Sequence, residues 1–206
     1  MSRVAVIGAG AWGTALAALL ARRAEIDGDG PLPLWGRDGE QIALMRASRR
    51  NERYLPGIPL PAALAPEADL ARALASAEVV LLVIPAQALR AACRELKPHL
   101  PPGAALVCCA KGIERDTGLF ASAIVAAELS GHPVAVLSGP SFADDVAREL
   151  PTAVTLATDT PERADALAHR LSTATFRIYA GTDIVGVEAG GALKNVMAVA
   201  AGASHG

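Results

Sequence analysis

Two lysines carry most of the chemistry open to this chain. Lys194 stands in a long apolar helical run, Asp183 to Ala203, where it and Asn195 are the only strongly polar residues after Glu188. Gly190 and Gly191 precede it at four and three positions, on its own helical face. An ammonium beside a face cleared of side chains can lie at the edge of a flat cofactor ring, stabilise charge on a ketone oxygen and exchange a proton with it. Adjacent glycines weaken a helix by roughly 1 kcal/mol each, which suggests a functional offset. The plainer alternative is a core helix whose lysine reaches outward to solvent. Lys111 follows the apolar run Ala105 to Cys109 in the segment Ala110-Lys111-Gly112, at the carboxyl end of a parallel strand, where open α/β sheets bind ligands. Here the alternative is an exposed loop cation. Lys97 is the third and last lysine of the chain.

A third candidate is made of glycine. Arg3 to Ile7 is an apolar strand, and Gly8, Gly10 and Gly13 follow at GxGxxG spacing before an alanine-rich helix that runs to Arg22. In that strand, turn and helix context the motif predicts dinucleotide binding. Gly8 permits the sharp turn, Gly10 lets a pyrophosphate approach the backbone, and Gly13 lets the helix pack closely. The free amides of the first helical turn, at Ala11 and Trp12 among others, face the phosphates. Val4 to Ala21 carries no charge. A membrane span or signal peptide is nonetheless rejected, because three glycines and a tryptophan interrupt the run and its period changes at Gly8.

These residues need a sheet to hold them. Leu32 to Trp35 is a second strand, ending in Gly36-Arg37-Asp38. In NAD-binding units an acidic residue at that point bonds the ribose hydroxyls, whereas an arginine holds a 2'-phosphate. Arg37 is assigned as phosphate partner, against the alternative of a solvated loop cation, and Asp38 as N-cap of a helix from Glu40 to Ala47. NADP is therefore favoured over NAD. Ile26 to Pro31 is expected to be a turn, and Ser48 to Pro66 a long connection without periodicity. Asp69 to Ala77 is a short helix and Val79 to Ile84 a central strand, with Pro85 closing it beside the cofactor; helix resumes from Gln87 to Lys97. Leu119 to Leu129 is helical and Val134 to Leu137 a strand. The small-residue loop Ser138 to Ala143 then starts a helix through Glu149. Ala153 to Ala157 and Phe176 to Tyr179 complete the sheet around a helix opened by Thr160-Pro161-Glu162.

The expected fold is α/β: a Rossmann-like, doubly wound, mostly parallel sheet over residues 1–182. Residues 183–206 are expected to begin a truncated all-α second domain, since the last helix stops with no partner for its apolar face. Hydrophobic residues form 52% of the 206 and aromatic ones 3%, so the core is built from Ala, Val, Leu and Ile. A net charge of -2 without a basic block gives no case for nucleic acid or an anionic membrane. Cys93, Cys108 and Cys109 form no disulfide framework and are expected to be buried, with Cys108 and Cys109 on opposite faces of a strand. The scattered histidines offer no metal site. Without an export signal or disulfide pattern, the expected compartment is the cytoplasm.

The segments GAGAWGTALA (8–17), LWGRD (34–38), NERYLPGIPLP (51–61), CCAKGIE (108–114), LSGPSFADDVARELPTAV (137–154) and GVEAGGALKNVMAVAAG (186–202) together resemble the NAD(P)-dependent sn-glycerol-3-phosphate dehydrogenases of the bacterial type. The resemblance spans nearly the whole chain. It implies reversible hydride transfer between a nicotinamide cofactor and the dihydroxyacetone phosphate/glycerol 3-phosphate pair. It also implies Lys194 as the catalytic lysine, and Lys111, Gly139, Ser141 and Asn195 as substrate contacts. Gly8, Gly10, Ala11, Trp12, Gly13, Arg37, Pro85, Lys111 and Ala143 are the implied cofactor contacts. Ala11 stands where the family often has Ser, and His205 near a place where it often has Asp. Family members continue for a further helical stretch that supplies an Arg-Gly-Asn segment for the substrate phosphate. The chain is thus expected to be a fragment that binds cofactor but does not turn over, with a possible homodimer. Two other readings stay open: a related Rossmann hydroxyacid reductase, disfavoured by GPSFADDVARELPTAV and YLPGIPLP, and a dinucleotide-sensing module without chemistry.

Overall fold

The computed structural model describes residues 4–205, and the side chains of residues 4–194 and 199–203. The chain runs β1 (Val4–Ile7), α1 (Ala11–Asp27), β2 (Leu32–Trp35), α2 (Gly39–Ser48), β3 (Arg50–Asn51), β4 (Leu55–Pro59) and β5 (Leu64–Glu67). It continues through α3 (Leu70–Leu74), β6 (Val79–Leu82), α4 (Ala86–Leu96), β7 (Ala105–Cys108), α5 (Ala121–Glu128) and β8 (Val134–Ser138). The last elements are α6 (Ala143–Ala147), β9 (Thr152–Thr158), α7 (Pro161–Leu171), β10 (Phe176–Gly181) and α8 (Ile184–His205).

Eight strands form one sheet in the order β10-β9-β8-β7-β6-β1-β2-β5. From β5 to β8 every pairing is parallel; β9 pairs antiparallel with β8, and β10 parallel with β9. This is the doubly wound order, with the chain reversing its direction of travel between β1 and β6. Val4–Ile7 and Val79–Leu82 are buried on both faces, as uninterrupted apolar strands in a covered parallel sheet must be.

Side chains alternate between two cores. Val4, Val6, Leu32, Leu34, Leu81 and Val107 face one side, under α1, α2, α6 and α7. Ala5, Ile7, Val80, Leu82 and Leu106 face the other, under α3, α4 and α5, where Ile184 and Val187 of α8 also pack. Alanine lets α1 sit close: Ala15, Ala17, Ala18 and Ala21 are fully buried. The polar end of α1 ties in distant helices. Arg22 donates to Ala147 O at the end of α6, and Arg23 to the carbonyls of His169, Arg170 and Ser172 at the end of α7. Cys108 and Cys109 face opposite cores, and burial pushes the Cys93 and Cys109 thiols up to about 12 and Cys108 well above its usual value.

Four expectations need correction. The connection at 48–66 is not structureless: β3 and β4 form an antiparallel ribbon, and β5 is the outer strand of the sheet, paired with β2. The helix α1 runs on to Asp27, so the turn begins at Gly28, which caps it in the left-handed conformation. The expected helix through Glu149 ends at Ala147. Arg3, expected to open β1, lies outside the described residues.

Candidate functional site

The glycine turn sits where β1 and β6 part. Gly8 has φ +121°, and a Cβ there would lie 2.2 Å from Val83 O. A Cβ on Gly13 would lie 1.8 Å from Gly8 O, so this glycine lets α1 close on the turn itself. Gly10 differs, since a Cβ added there would meet nothing within 4 Å, and the space is open to a ligand. It is also the N-cap of α1 and offers no side chain to the first amides of the helix, at Ala11 and Trp12.

Two amides brace this turn from below. Asn51, buried in the β3–β4 ribbon, donates to Ala9 O (3.1 Å) and to Thr14 Oγ (2.7 Å). Gln41 of α2 donates to the same Ala9 O (2.8 Å) and to Asn51 Oδ1 (3.3 Å). Neither was apparent from sequence, because a lone amide in a polar stretch carries no pattern. Beyond β2, Arg37 is exposed. Asp38 is engaged: one carboxylate oxygen accepts from the amides of Glu40 and Gln41, the other from Arg53 (3.1 Å). The Gln41 amide foremost, with Arg53 contributing, holds that carboxyl below its usual range. Asp38 is thus the helix cap it was expected to be.

The lysine end lies past β7 and β8. Lys111 donates to Gly139 O (3.2 Å), and its Nζ stands 5.9 Å from the centre of the Trp12 ring. Partial burial, and then the neighbouring Lys194 ammonium, push Lys111 down to about 8. Lys194 comes from α8, with its Nζ 5.9 Å from the centre of the exposed Phe142 ring. Two residues 83 positions apart in sequence therefore share one patch. The loop bearing Lys111 is strapped to α4. Gln87 donates to Ile113 O and accepts from the Arg115 amide, and Arg90 forks onto Glu114 at 2.7 and 3.0 Å. Those bonds, Arg90 first, bring Glu114 down to about 2.

Other assigned residues fall around the same edge. Pro85 is exposed at the N-cap of α4, and Ala143 opens α6, half-buried against the core. Ser141 donates its amide to Gly139 O. At Gly139 the missing side chain serves packing, because a Cβ would lie 2.9 Å from Val154. The two glycines of α8 also differ from the expectation of one cleared face. Gly190 has open space, whereas a Cβ on Gly191 would lie 2.5 Å from Ser138 Oγ, so Gly191 lets α8 press against β8. The Asn195 side chain lies outside the described residues.

The arrangement suits a dinucleotide and an anionic partner. Trp12 Nε1 and Ser141 Oγ are buried without a hydrogen-bond partner, on the same edge as the open space at Gly10. Buried polar atoms are ordinarily satisfied, so an exogenous acceptor or donor fits there. Among the described residues no group of three or more His, Cys, Asp or Glu is placed to hold a metal, and no helix is long and apolar enough to cross a membrane.

Fold and site together define a Rossmann-type α/β protein with a cationic patch at its binding edge. The profile of the family described as NAD-dependent glycerol-3-phosphate dehydrogenase N-terminus matches residues 3–164, and the chain belongs to that family. It is 54% identical over 200 residues to a glycerol-3-phosphate dehydrogenase [NAD(P)+] of Azorhizobium caulinodans, covering 97% of this chain and 59% of that protein. It is 49% identical to the protein of that name from Brucella canis, covering 100% of this chain and 61% of the relative. The crystal structure of glycerol-3-phosphate dehydrogenase from Coxiella burnetii superposes with a TM-score of 0.88 at 37% identity, over 98% of this chain and 60% of the other. The chain thus spans about 60% of the length of the relatives it matches.

Proposed function

We propose that this chain is the cofactor-binding part of a dehydrogenase that interconverts dihydroxyacetone phosphate and sn-glycerol 3-phosphate. The observation that carries the reading is the meeting of Lys111 and Lys194 beside the glycine turn. A phosphorylated ketone needs a cation for its phosphate and an acid at its carbonyl oxygen, and two ammonium groups at one sheet edge can supply both. The bound dinucleotide supplies the hydride. Lys194 holds the proton at its Nζ for the ketone oxygen and recovers it in reverse. Lys111, largely protonated at neutral pH, orients the substrate together with Gly139, Ser141 and Asn195. Gly8, Gly10, Ala11, Trp12, Gly13, Arg37, Pro85 and Ala143 surround the cofactor, and Lys111 reaches it through the Trp12 ring.

The exposed Arg37 and the engagement of Asp38 as a cap support a preference for NADP over NAD, because no free carboxylate stands at the end of β2 for the ribose hydroxyls. Residues 183–206 are proposed to begin a second, helical domain. Since the relatives are longer, the 206 residues alone should bind dinucleotide yet reduce dihydroxyacetone phosphate negligibly, the missing positioning being worth several kcal/mol of barrier. Val185, Leu193 and Val199 are exposed and leave an apolar surface on α8 for a second copy; Val196 and Met197, expected on that surface, lie outside the described side chains.

The test combines titration and turnover. Arg37→Ala should weaken NADP selectively; equal weakening of NAD and NADP rejects the preference. In a protein extended to the length of its relatives, Lys194→Ala should abolish turnover while dinucleotide binding survives. Retained turnover would overturn the assignment, and binding without any turnover in the unsubstituted protein would favour a sensing module.

A further inference from the structure

Glu188 is buried, at 6% exposure, and it lies nearly two turns before Lys194 on α8. Its carboxylate accepts the Ser122 amide (2.8 Å) and the Ser122 hydroxyl (2.6 Å). Ser122 is in the first turn of α5, whose N-cap position is Phe120 and has no side-chain cap. By contrast α2, α3 and α7 are capped by their own Asp38, Asp69 and Thr160. The cap of α5 therefore comes from another element, 66 residues along the chain. A carboxylate at a helix N-terminus is held by both the amide and the helix dipole, so it has one favoured position. The neighbouring Ile184 and Val187 are apolar and tolerate sliding; a two-pronged bond does not. Three residues on, Gly191 presses against Ser138 without a side chain to fix its height.

We propose that Glu188 is a positioning residue: by taking both donors of Ser122 it fixes the rotation and height of α8, and so stands Lys194 beside Lys111. This deepens the proposed role of the two lysines and rests on that reading for its catalytic meaning. The placement itself can be tested without turnover.

The titratable groups that face Lys111 are Lys194, which disfavours its charge, and Cys109, which favours it. Loss of a nearby carboxylate by through-space electrostatics alone would lower the Lys111 midpoint. Loss of positioning would raise it, because the second ammonium departs. The sign therefore separates the two causes, and a cap that only stabilises the fold would move nothing.

The experiment is competitive acetylation of the 206-residue chain with acetic anhydride across pH, read at Lys111 by mass spectrometry with exposed Lys97 as internal reference. Lys194→Met and Glu188→Ala should each raise the Lys111 midpoint by roughly one pH unit. Adding Lys194→Met to Glu188→Ala should change nothing further, and Glu188→Gln, which keeps one acceptor, should fall between. An unchanged or lowered midpoint in a folded Glu188→Ala overturns the proposal. Should that variant fail to fold, Ser122→Ala, which removes one of the two bonds, must still raise the midpoint, and no rise there also overturns it. Inactive Lys194 variants or cofactor results leave this outcome untouched.

Discussion

The glycine turn and the lysine patch lie on one edge of the sheet, but they are built on opposite principles. At the turn the protein offers backbone, and its glycines divide into two that the fold requires and one that it does not. At the patch it offers long charged side chains from α8 and from a loop strapped to α4, with like charges held together against their repulsion. The first site is pre-formed by packing. The second is poised by charge, and an anion would relieve it.

The sharpest way to break this contrast is to add a methyl group. Gly13→Ala and Gly8→Ala place carbon on backbone oxygen, so each should lose about 3 kcal/mol or more in urea denaturation, while Gly10→Ala should stay within about 0.5 kcal/mol. Gly10→Ala should nonetheless weaken dinucleotide binding by about tenfold or more, read by fluorescence titration. Equal destabilisation by all three would show that the turn is not divided in this way.

Removing the brace is the next largest effect. Asn51→Ala leaves Ala9 O and Thr14 Oγ without their buried donor and should cost about 2 kcal/mol. Dinucleotide affinity should fall with it, because Ala9 lies within the turn. A loss of stability with unchanged affinity would mean the turn keeps its shape without the ribbon.

At the lysine patch the test is pH. The midpoint of Lys111 is about 8 in the folded protein and lies below its ordinary value of 10.5, so between those values the unfolded chain binds more protons. Stability attributable to Lys111 should therefore rise with pH through that window. The difference in Tm between wild type and Lys111→Met should shrink correspondingly, with Lys111→Met the more stable at pH 7. Phosphate affinity should run the other way, falling above about pH 8 as Lys111 loses its charge. A flat difference across the window would remove the poised-charge account.

The smallest effect belongs to Asp38. Asp38→Ala should lower Tm slightly at neutral pH, through loss of the α2 cap. The Asp38 carboxyl is held below its ordinary value in the fold, so its contribution is present above that ordinary value and lost as pH falls through the folded one. The two proteins should converge in acid.

Most of the frame was legible because its signals are local. Continuous apolar strands, the glycine spacing and the caps at Asp38 and Thr160 each declare themselves within a few residues. The strand β5 did not, since Leu64-Ala65-Pro66-Glu67 is short and contains a proline. Proline is tolerated there because β5 is at the edge of the sheet. Lys111 and Lys194 could each be singled out by position, but their proximity depends on how α8 crosses β8, which no spacing encodes. The same holds for Asn51 and Glu188, whose partners are 37 and 66 residues away. Gly191 shows the reverse error: its helical period matched a ligand-facing surface, and the structure uses it for contact with Ser138.

The single antiparallel pairing, between β8 and β9, sets the parity of everything that follows. Had β9 and β10 run with the other strands, the chain would have left β10 at the ligand edge and the next helix would have descended away from it. Because both strands are reversed, the chain leaves β10 low on the sheet, Gly181 lying level with Ala157 and through it with Val136. The helix α8 then has to climb. Its first turn is seated in the lower core through Ile184, it passes Ser138 at Gly191, and at 1.5 Å per residue its 22 residues rise some 30 Å. One change of strand direction thus makes the final helix deliver its lysine upward to the same edge that six parallel strands had already prepared.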